Sequence, residues 1–304
     1  MSSAEQLAPG ARWAISAAKI APPFELDPSL CLYSPQDNVD AFVHPRVLAH
    51  HQWLREQWTP PAAAPPAAAA RITLLLPCTA AKPYPISPEH RQVNSALLDA
   101  GWRPAADHGA PPRQLLEVLD DDEDPRLLHT GVMARDGVLL ERVVVSEPMG
   151  LVPYERMYDP ACPATDYDDP GLFEWRGTSV APWRDDCTAT PEADGTWSWG
   201  PAEHAAYARA HLLLSELIVE VLSPVAVDDL ATLAWLPAGL THRSFLGDDT
   251  SRRAEGLPVD PIGPDGPITL VGVGDLAPGL VELPPASDDP AGLVARLDQI
   301  VASR

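Results

Sequence analysis

Apolar residues along the chain follow two kinds of pattern. A spacing of three to four residues, typical of helices with a buried face, occurs in four segments. Short segments dense in apolar residues, typical of buried strands, occur at 71–76 and 139–146. The four segments predicted to be helices are 45–58, 88–100, 203–222 and 290–302.

Local sequence signals set where these elements begin. Ser87-Pro88 predicts a helix start, because serine is a preferred N-cap and proline suits the first helical position. Asp136-Gly137 predicts a turn into the second strand. Residues 114–119 predict a short helix and 267–273 a further strand. Strands mixed with helices indicate an α/β protein.

The remaining segments predict a core with two extensions. Residues 1–43 show no clear period, so we expect an irregular N-terminal extension before a core at 44–225. Within the core, 59–70 is almost entirely alanine and proline and predicts an exposed loop or linker. Residues 226–304 form a C-terminal extension with a strand and a closing helix. The 36 prolines lead us to expect long, irregular connections.

Composition limits the functional classes. The net charge of −22 disfavours non-specific binding to nucleic acid, since such binding depends on neutralising phosphates. No apolar run is long enough to span a bilayer, and the N-terminus shows no secretory signal. The four cysteines have neither zinc-type pairing nor the look of a disulfide framework. We therefore expect a cytoplasmic protein that does not contact membranes.

Lysine is scarce, which draws attention to the segment around Lys82. The chain has 21 basic residues, and only Lys19 and Lys82 are lysines. Arginine does not replace lysine where a compact ammonium or a titrating amine is needed. Lys82 also follows a predicted strand, and ligands of open α/β sheets sit beyond the carboxyl ends of strands. We place the active site there, together with the loop 147–150.

Several side chains of this segment are capable of chemistry. His90 would stand at the third position of the helix capped by Ser87, where the positive helix end favours a neutral imidazole that acts as base or hydrogen-bond donor. That helix end and Lys82 would lower the pKa of the Cys78 thiol. The structural alternatives are that Ser87 is only a cap, Cys78 a packed small side chain, and Tyr84 a packing partner of the neighbouring prolines.

The segment resembles the signature of the archaeosine synthase core domain, Pro-Cys-x3-Lys-Pro-Tyr-x2-Ser-x2-His. Every defined position is matched, and the matching residues are Pro77, Cys78, Lys82, Pro83, Tyr84, Ser87 and His90. The chain is similar to this family over about 44–225, as a stand-alone, bacterial-type relative. The resemblance implies a three-layer α/β/α sandwich like that of uracil-DNA glycosylases. It also implies transfer of lysine to the nitrile of 7-cyano-7-deazaguanine in tRNA.

The resemblance also implies roles for individual residues, with no metal and no cofactor. The catalytic residues would be Cys78, Lys82, Tyr84 and His90. The substrate-binding residues would be Pro77, Ser87, Gly150, Glu155 and Asp168.

Two routes are open for the addition to the nitrile. In the first, His90 deprotonates the attacking amine, Tyr84 donates to the nitrile nitrogen and Lys82 binds an anionic group of the substrate. In the second, Cys78 attacks first and forms a covalent thioimide.

The carrier of the deazaguanine is also open. Full archaeosine synthases add a transglycosylase-like region and an RNA-binding PUA domain, neither of which is recognisable here. The substrate would be a free base or nucleoside, DNA, or tRNA presented by a separate RNA-binding partner. The alternative function is a non-catalytic module that recognises a modified base or a partner protein. A third possible function, that of a glycosylase, is supported by fold analogy alone.

We predict that the protein alone does not bind tRNA tightly, because a chain with a net charge of −22 repels a polyanion. Gel shifts at moderate salt would show no complex at submicromolar protein. Submicromolar affinity with a steep salt dependence would contradict this and reveal a local basic groove.

Overall fold

The structure is a computed structural model that describes residues 9–58, 70–105, 109–169, 179–226 and 229–304. The predicted Ala/Pro loop at 59–70 lies outside the described residues except for Ala70, which begins the first strand. No helix in the described ranges is long and apolar enough to cross a membrane.

Helices flank a central sheet. The α-helices are α1 (Pro9–Ala17), α2 (Pro35–Ala41), α3 (Pro45–Glu56), α4 (Pro88–Asp99), α5 (Pro201–Ala226), α6 (Thr241–Leu246), α7 (Asp249–Ala254), α8 (Val273–Leu276) and α9 (Pro290–Ala302). Short 3-10 turns lie at Pro28–Leu30, Tyr84–Ile86, Arg113–Val118, Pro125–Leu128, Tyr154–Arg156 and Pro163–Thr165. The four long helices predicted from the sequence are thus confirmed as α3, α4, α5 and α9.

The strands form one six-stranded sheet and two small hairpins. They are β1 (Ala70–Pro77), β2 (Arg103–Pro104), β3 (Met133–Arg135), β4 (Val138–Ser146), β5 (Gly150–Pro153), β6 (Thr190–Pro191), β7 (Trp197–Ser198), β8 (Asp229–Ala234), β9 (Ile262–Gly263) and β10 (Gly266–Pro267). The main sheet has the order β2-β3-β4-β1-β8, and β5 pairs with the end of β4. The strands predicted at 71–76 and 139–146 are confirmed as β1 and β4.

The sheet is mixed, with a parallel centre. β1 runs parallel to β4 on one side and to β8 on the other. β3 and β5 both pair antiparallel with β4, at its beginning and its end. Because parallel strands end at the same edge, the chain leaves β1, β4 and β8 at one end of the sheet.

Alternating side chains of the central strands build an apolar core on each face of the sheet. On one face, Leu74 and Leu76 of β1 pack in a cluster with residues of α4 and α9, including Leu97 and Leu297. On the other face, Leu75 lies in a cluster with residues of α3 and α5. Strand side chains alternate between faces, so β1 is buried on both. The chain is therefore an α/β protein with a central mixed sheet covered by helices on both faces.

The prolines have two roles. The expected long connections are present, since the described parts of those from β2 to β3 and from β5 to α5 contain only 3-10 turns and a hairpin of two-residue strands. Several prolines, however, start helices instead. In four helices a capping side chain accepts a hydrogen bond from a backbone N–H of the first turn and proline occupies the next position. These pairs are Ser34-Pro35, His44-Pro45, Ser87-Pro88 and Asp289-Pro290. The predicted cap at Ser87 is thus confirmed.

Two expectations on secondary structure were wrong. The N-terminal segment expected to be irregular contains α1 and α2 within its described part. Residues 267–273 do not form a strand: only Pro267 belongs to one, in a two-residue hairpin strand, and Val273 begins α8. The strand that the C-terminal part contributes to the main sheet is β8, whose short sequence Asp-Leu-Ala-Thr-Leu-Ala carries little periodic signal.

Glu141 in the middle of β4 makes the stability of the fold depend on pH. It is 1% exposed and its Oε2 has no hydrogen-bond partner among the described residues. Burial, with a smaller contribution from the nearby Glu155 carboxylate, raises its pKa to about 8 from an ordinary value of 4.5. A carboxyl whose pKa is raised by folding stabilises the protein fully below its unfolded pKa, and that stability is lost as pH rises through the folded pKa.

We predict that Glu141→Gln is more stable than the wild type at pH 9, by on the order of 2–4 kcal/mol, with the difference disappearing near pH 4. Denaturant unfolding at several pH values would measure this. Glu117→Gln, at an exposed position, is the matched control and should change little at any pH. Equal destabilisation by Glu141→Gln at both ends of the pH range would contradict the prediction.

Candidate functional site

Three side chains meet at the edge of the sheet where the parallel strands end. Cys78 directly follows β1, and its backbone N–H donates to Val145 O of β4 at 3.1 Å. Glu147 directly follows β4. His242 lies in α6, and seven residues separate it from Ala234 at the end of β8. Strand pairing thus brings together residues that are far apart in sequence.

The three functional groups of this cluster, which we call the Cys–Glu–His cluster (Cys78, Glu147 and His242), face one another closely. Cys78 Sγ lies 3.2 Å from His242 Nε2 and 3.9 Å from Glu147 Oε2. His242 Nε2 lies 3.5 Å from the same carboxylate oxygen. Glu147 and His242 are buried, whereas Cys78 is partly exposed. Cys78 is therefore the least buried residue of the cluster.

The neighbouring Thr241 orients the carboxylate of the cluster. Its hydroxyl donates a hydrogen bond to Glu147 Oε1 at 2.9 Å, which leaves Oε2 turned toward the thiol and the imidazole. The other ring nitrogen of His242, Nδ1, has no hydrogen-bond partner in the described residues. The carboxylate and the thiol thus lie next to the same ring nitrogen, Nε2. In a catalytic triad, by contrast, the acid binds the ring nitrogen opposite the one that faces the nucleophile.

Burial keeps the cluster uncharged at the thiol and the imidazole. It raises the pKa of Cys78 well above its ordinary value, an effect that Glu147 strengthens and Lys82 opposes. Burial also lowers the pKa of His242, against the attraction of the Glu147 carboxylate. Lys82 thus lowers the pKa of the Cys78 thiol as expected, but desolvation outweighs it, so the expectation of a lowered pKa was wrong in its net direction. A neutral thiol beside a neutral imidazole is a pair in which the base takes the proton during attack.

Lys82 is part of a buried ion group in which both lysines of the chain share one carboxylate. Lys82 is 2% exposed, and its Nζ lies 3.4 Å from Asp168 Oδ1. Lys19 Nζ binds the other oxygen, Asp168 Oδ2, at 2.8 Å. The Lys82 ammonium also lies 4.6 Å from the ring centre of Tyr167. The structure thus brings together Lys82 and Asp168, which were both expected at the site. They form an ion pair with each other, and Asp168 also pairs with Lys19.

The N-terminal segment is hydrogen-bonded into this region. Lys82 N donates to Lys19 O at 2.9 Å, and Ala21 N donates to Lys82 O at 2.8 Å. Further along, Leu32 N donates to Asp168 O at 2.8 Å and Asp168 N to Leu30 O at 3.1 Å. Residues 19–32 therefore hold in place two loops that carry motif residues.

Tyr84 is enclosed in a group of three hydroxyls beneath the cluster. Its Oη lies 2.9 Å from Ser146 Oγ and 2.6 Å from Tyr167 Oη, and Ser146 and Tyr167 also contact each other. Tyr84 has no exposed surface. Burial raises the pKa of Tyr84 well above its ordinary value, so it remains a neutral phenol. It supports the loop that leads from Cys78 to α4.

His90 is held by hydrogen bonds at both ring nitrogens. Its Nε2 lies 2.9 Å from Pro77 O, a carbonyl that only accepts, so Nε2 carries the proton. Its Nδ1 therefore accepts from the Tyr154 hydroxyl. Burial lowers the pKa of His90 to about 4. The expected neutral state of His90 is present, but burial rather than the helix end is its main cause, and both nitrogens are occupied.

The other expected substrate-binding residues have structural contacts. Ser87 caps α4 through His90 N, and Pro77 provides the carbonyl that orients His90. Gly150 has a φ of 76° in the turn between β4 and β5, where a Cβ would lie 2.5 Å from a Leu217 methyl. Glu155 acts on Glu141, four strand positions before Val145 and thus about 13 Å along β4 from the Cys78 end. The structure does not bring Glu155 to Cys78.

A cavity of about 390 Å³ opens beside the motif, between α4, β8 and the start of α9. Pro77 and His90 contribute to its wall, with Trp235 as an aromatic surface. Trp235 Nε1 is buried without a hydrogen-bond partner among the described residues. Glu89 and Asp288 are among its acidic lining residues. Its size suits a small heterocycle, with an aromatic wall and carboxylates that accept N–H groups.

Sequence reasoning found Cys78 but missed His242 and Thr241. They were missed because β8 was not predicted as a strand. Since β8 is parallel to β1, a prediction of β8 would have indicated that the loop and helix after it lie at the same edge of the sheet as Cys78. Residues 237–242, Pro-Ala-Gly-Leu-Thr-His, then stand out as a turn leading to a helix with a polar start.

Comparisons of the chain with protein-family models, with curated proteins and with solved structures give no match.

We predict that Lys82→Met destabilises the protein by about 2–4 kcal/mol, because, of the two lysines that bind Asp168, it removes the one that is itself buried and therefore not screened by solvent. Adding Asp168→Asn should recover part of this loss, which a double-mutant cycle of unfolding free energies would measure. Lys19→Met is the matched control: its side chain is 25% exposed, so we expect a loss of only about 1 kcal/mol. Wild-type stability of Lys82→Met would rule out a structural role for the ion pair.

Proposed function

We propose that the protein is a transferase that adds lysine, or a related amine, to the nitrile of a 7-cyano-7-deazaguanine, with Cys78 as covalent nucleophile. The observation that carries the proposal is the 3.2 Å contact between Cys78 Sγ and His242 Nε2 at the open end of the sheet. The resemblance to the archaeosine synthase core signature supports the substrate class. The relation to the uracil-DNA glycosylase fold stays a prediction.

In the first step the thiol adds across the nitrile. Cys78 Sγ forms a bond to the nitrile carbon while its proton passes to His242 Nε2. The protonated imidazole then delivers this proton to the nitrile nitrogen, which gives a neutral thioimide. Glu147 stabilises the transient imidazolium, since its carboxylate lies 3.5 Å from Nε2. Nothing leaves the substrate in this step.

In the second step the amine replaces the thiol. The amino group attacks the thioimide carbon and forms a C–N bond, and the C–S bond breaks. The departing thiolate recovers a proton from the attacking amine through His242. The products are an amidine and the free Cys78 thiol, so the enzyme returns to its starting state without an oxidant or reductant.

The alternative route through His90, Tyr84 and Lys82 has less support. A base needs a free lone pair, and both His90 nitrogens are engaged. The Tyr84 phenol is fully buried, and the Lys82 ammonium is paired with Asp168. These motif residues instead fix the position of the Cys78 loop.

The cavity beside Pro77 is the proposed binding place for the deazaguanine. Cys78 follows Pro77 in the chain but does not itself line this cavity, so the nitrile would have to reach past Pro77 to the thiol. Trp235 offers a surface for stacking, and the carboxylates of Glu89 and Asp288 suit the N–H groups on the guanine edge. These acidic lining residues and a net charge of −22 disfavour a nearby phosphate backbone. We therefore favour a free base or nucleoside as substrate over tRNA.

We predict that incubation with 7-cyano-7-deazaguanine increases the intact mass of the protein by the full mass of the ligand, because addition releases no group. Cys78→Ala should abolish this adduct. His242→Gln should slow its formation by about 10²–10⁴-fold, the usual contribution of a positioned base. Intact-protein mass spectrometry over time would follow both variants.

The control is Cys187→Ala, which alters another partly exposed cysteine away from the cluster and should leave the adduct unchanged. Added lysine should discharge the adduct and release an amidine. Adduct formation in Cys78→Ala would refute the nucleophile assignment. Binding of the base without adduct or turnover would instead favour a recognition module.

A further inference from the structure

We propose that the Cys–Glu–His cluster is also a binding site for Zn²⁺ or a similar divalent cation of intermediate softness. This inference goes beyond the proposed transferase, and the metal site stands whether or not the protein is one. It rests on the placement of three different ligand types within contact of one another.

The separations between the ligand atoms lie within about 0.4 Å of those around a tetrahedral zinc ion. Bonds of about 2.0 Å to nitrogen and oxygen and 2.3 Å to sulfur place neighbouring ligand atoms about 3.3–3.6 Å apart. Within the cluster the corresponding separations are 3.2 Å for Sγ–Nε2, 3.5 Å for Nε2–Oε2 and 3.9 Å for Sγ–Oε2. Small side-chain rotations are enough to centre an ion among them.

The donor set selects the class of metal. Thiolate and imidazole together suit zinc and its borderline neighbours, whereas Mg²⁺ and Ca²⁺ require sites built from oxygen. Thiolate and carboxylate supply two negative charges, which neutralise a divalent ion within a buried setting. The described part of the chain has no other trio of His, Cys, Asp or Glu residues with ligand atoms this close.

The elements around the cluster provide a rigid support with one open side. Cys78 and Glu147 are fixed at the ends of adjacent strands, and Thr241 holds the free carboxylate oxygen at 2.9 Å. Glu147 and His242 are 1% and 5% exposed, so the open side is that of the partly exposed Cys78. Three protein ligands with an open fourth position are typical of zinc sites that bind water or a substrate group.

Metal binding and covalent chemistry at Cys78 would exclude each other. A zinc-bound thiolate is a weaker nucleophile than a free one because it shares electron density with the metal, and His242 Nε2 cannot accept a proton while it is a ligand. Insofar as the proposed transferase is correct, zinc therefore suppresses the adduct and a chelator restores it.

The test measures binding of Zn²⁺ to the chelator-treated full-length protein, by competition with a chromophoric chelator. We expect one equivalent to bind. Cys78→Ser, Glu147→Gln and His242→Gln should each weaken binding at least tenfold. Co²⁺ should show thiolate-to-metal charge-transfer absorption that Cys78→Ser abolishes. Cys187→Ser is the matched control and should bind normally, with folding of all variants checked by circular dichroism.

The outcomes separate the two proposals. No saturable binding, or binding equally strong in Cys78→Ser, would overturn the metal site even if the thioimide adduct forms. Stoichiometric binding that depends on the cluster would uphold the metal site even if no adduct is ever seen. Loss of binding in Cys187→Ser would show that zinc is held elsewhere and would also overturn the proposal.

Discussion

The parallel pairing of β1 with β4 and β8 is the constraint on which the rest of the structure depends. β1 is buried on both faces, so helices must cover it from two sides and the connections between parallel strands must be long. The same pairing brings three strand ends to one edge. Polar side chains that would be costly to bury within the sheet lie at this edge. There the strands have ended, and the side chains can form hydrogen bonds with one another.

Elements with strong local signals could be predicted from the sequence, and those defined by distant contacts could not. α9 begins and ends where its apolar spacing predicts, and α4 begins at its Ser87 cap as predicted. β8 has six residues and little apolar character of its own, and it is a strand because β1 provides its hydrogen bonds. α1 and α2 were missed because prolines that start helices were taken as signs of irregular chain.

The candidate site divides in the same way. The signature located Cys78 and the loop around it, since its residues are close in sequence. It did not separate residues that face a substrate from those that support the loop: Tyr84, Lys82 and His90 are buried among fixed partners. The side chains that give the thiol its chemistry come from 69 and 164 residues away. Because β8 was not predicted from the sequence, nothing indicated that His242 lies next to Cys78.

The ion group at Asp168 has a consequence for the outer surface. Both lysine side chains of the chain bind this one carboxylate. Lys82 is buried and Lys19 is only 25% exposed, so the lysines present little primary amine to solvent. Arginine supplies the remaining positive charge, and a guanidinium stays protonated and is a poor nucleophile. In the proposed transferase, a thioimide at Cys78 would therefore meet chiefly the amine that diffuses in, and the protein would not amidinate itself or its neighbouring copies.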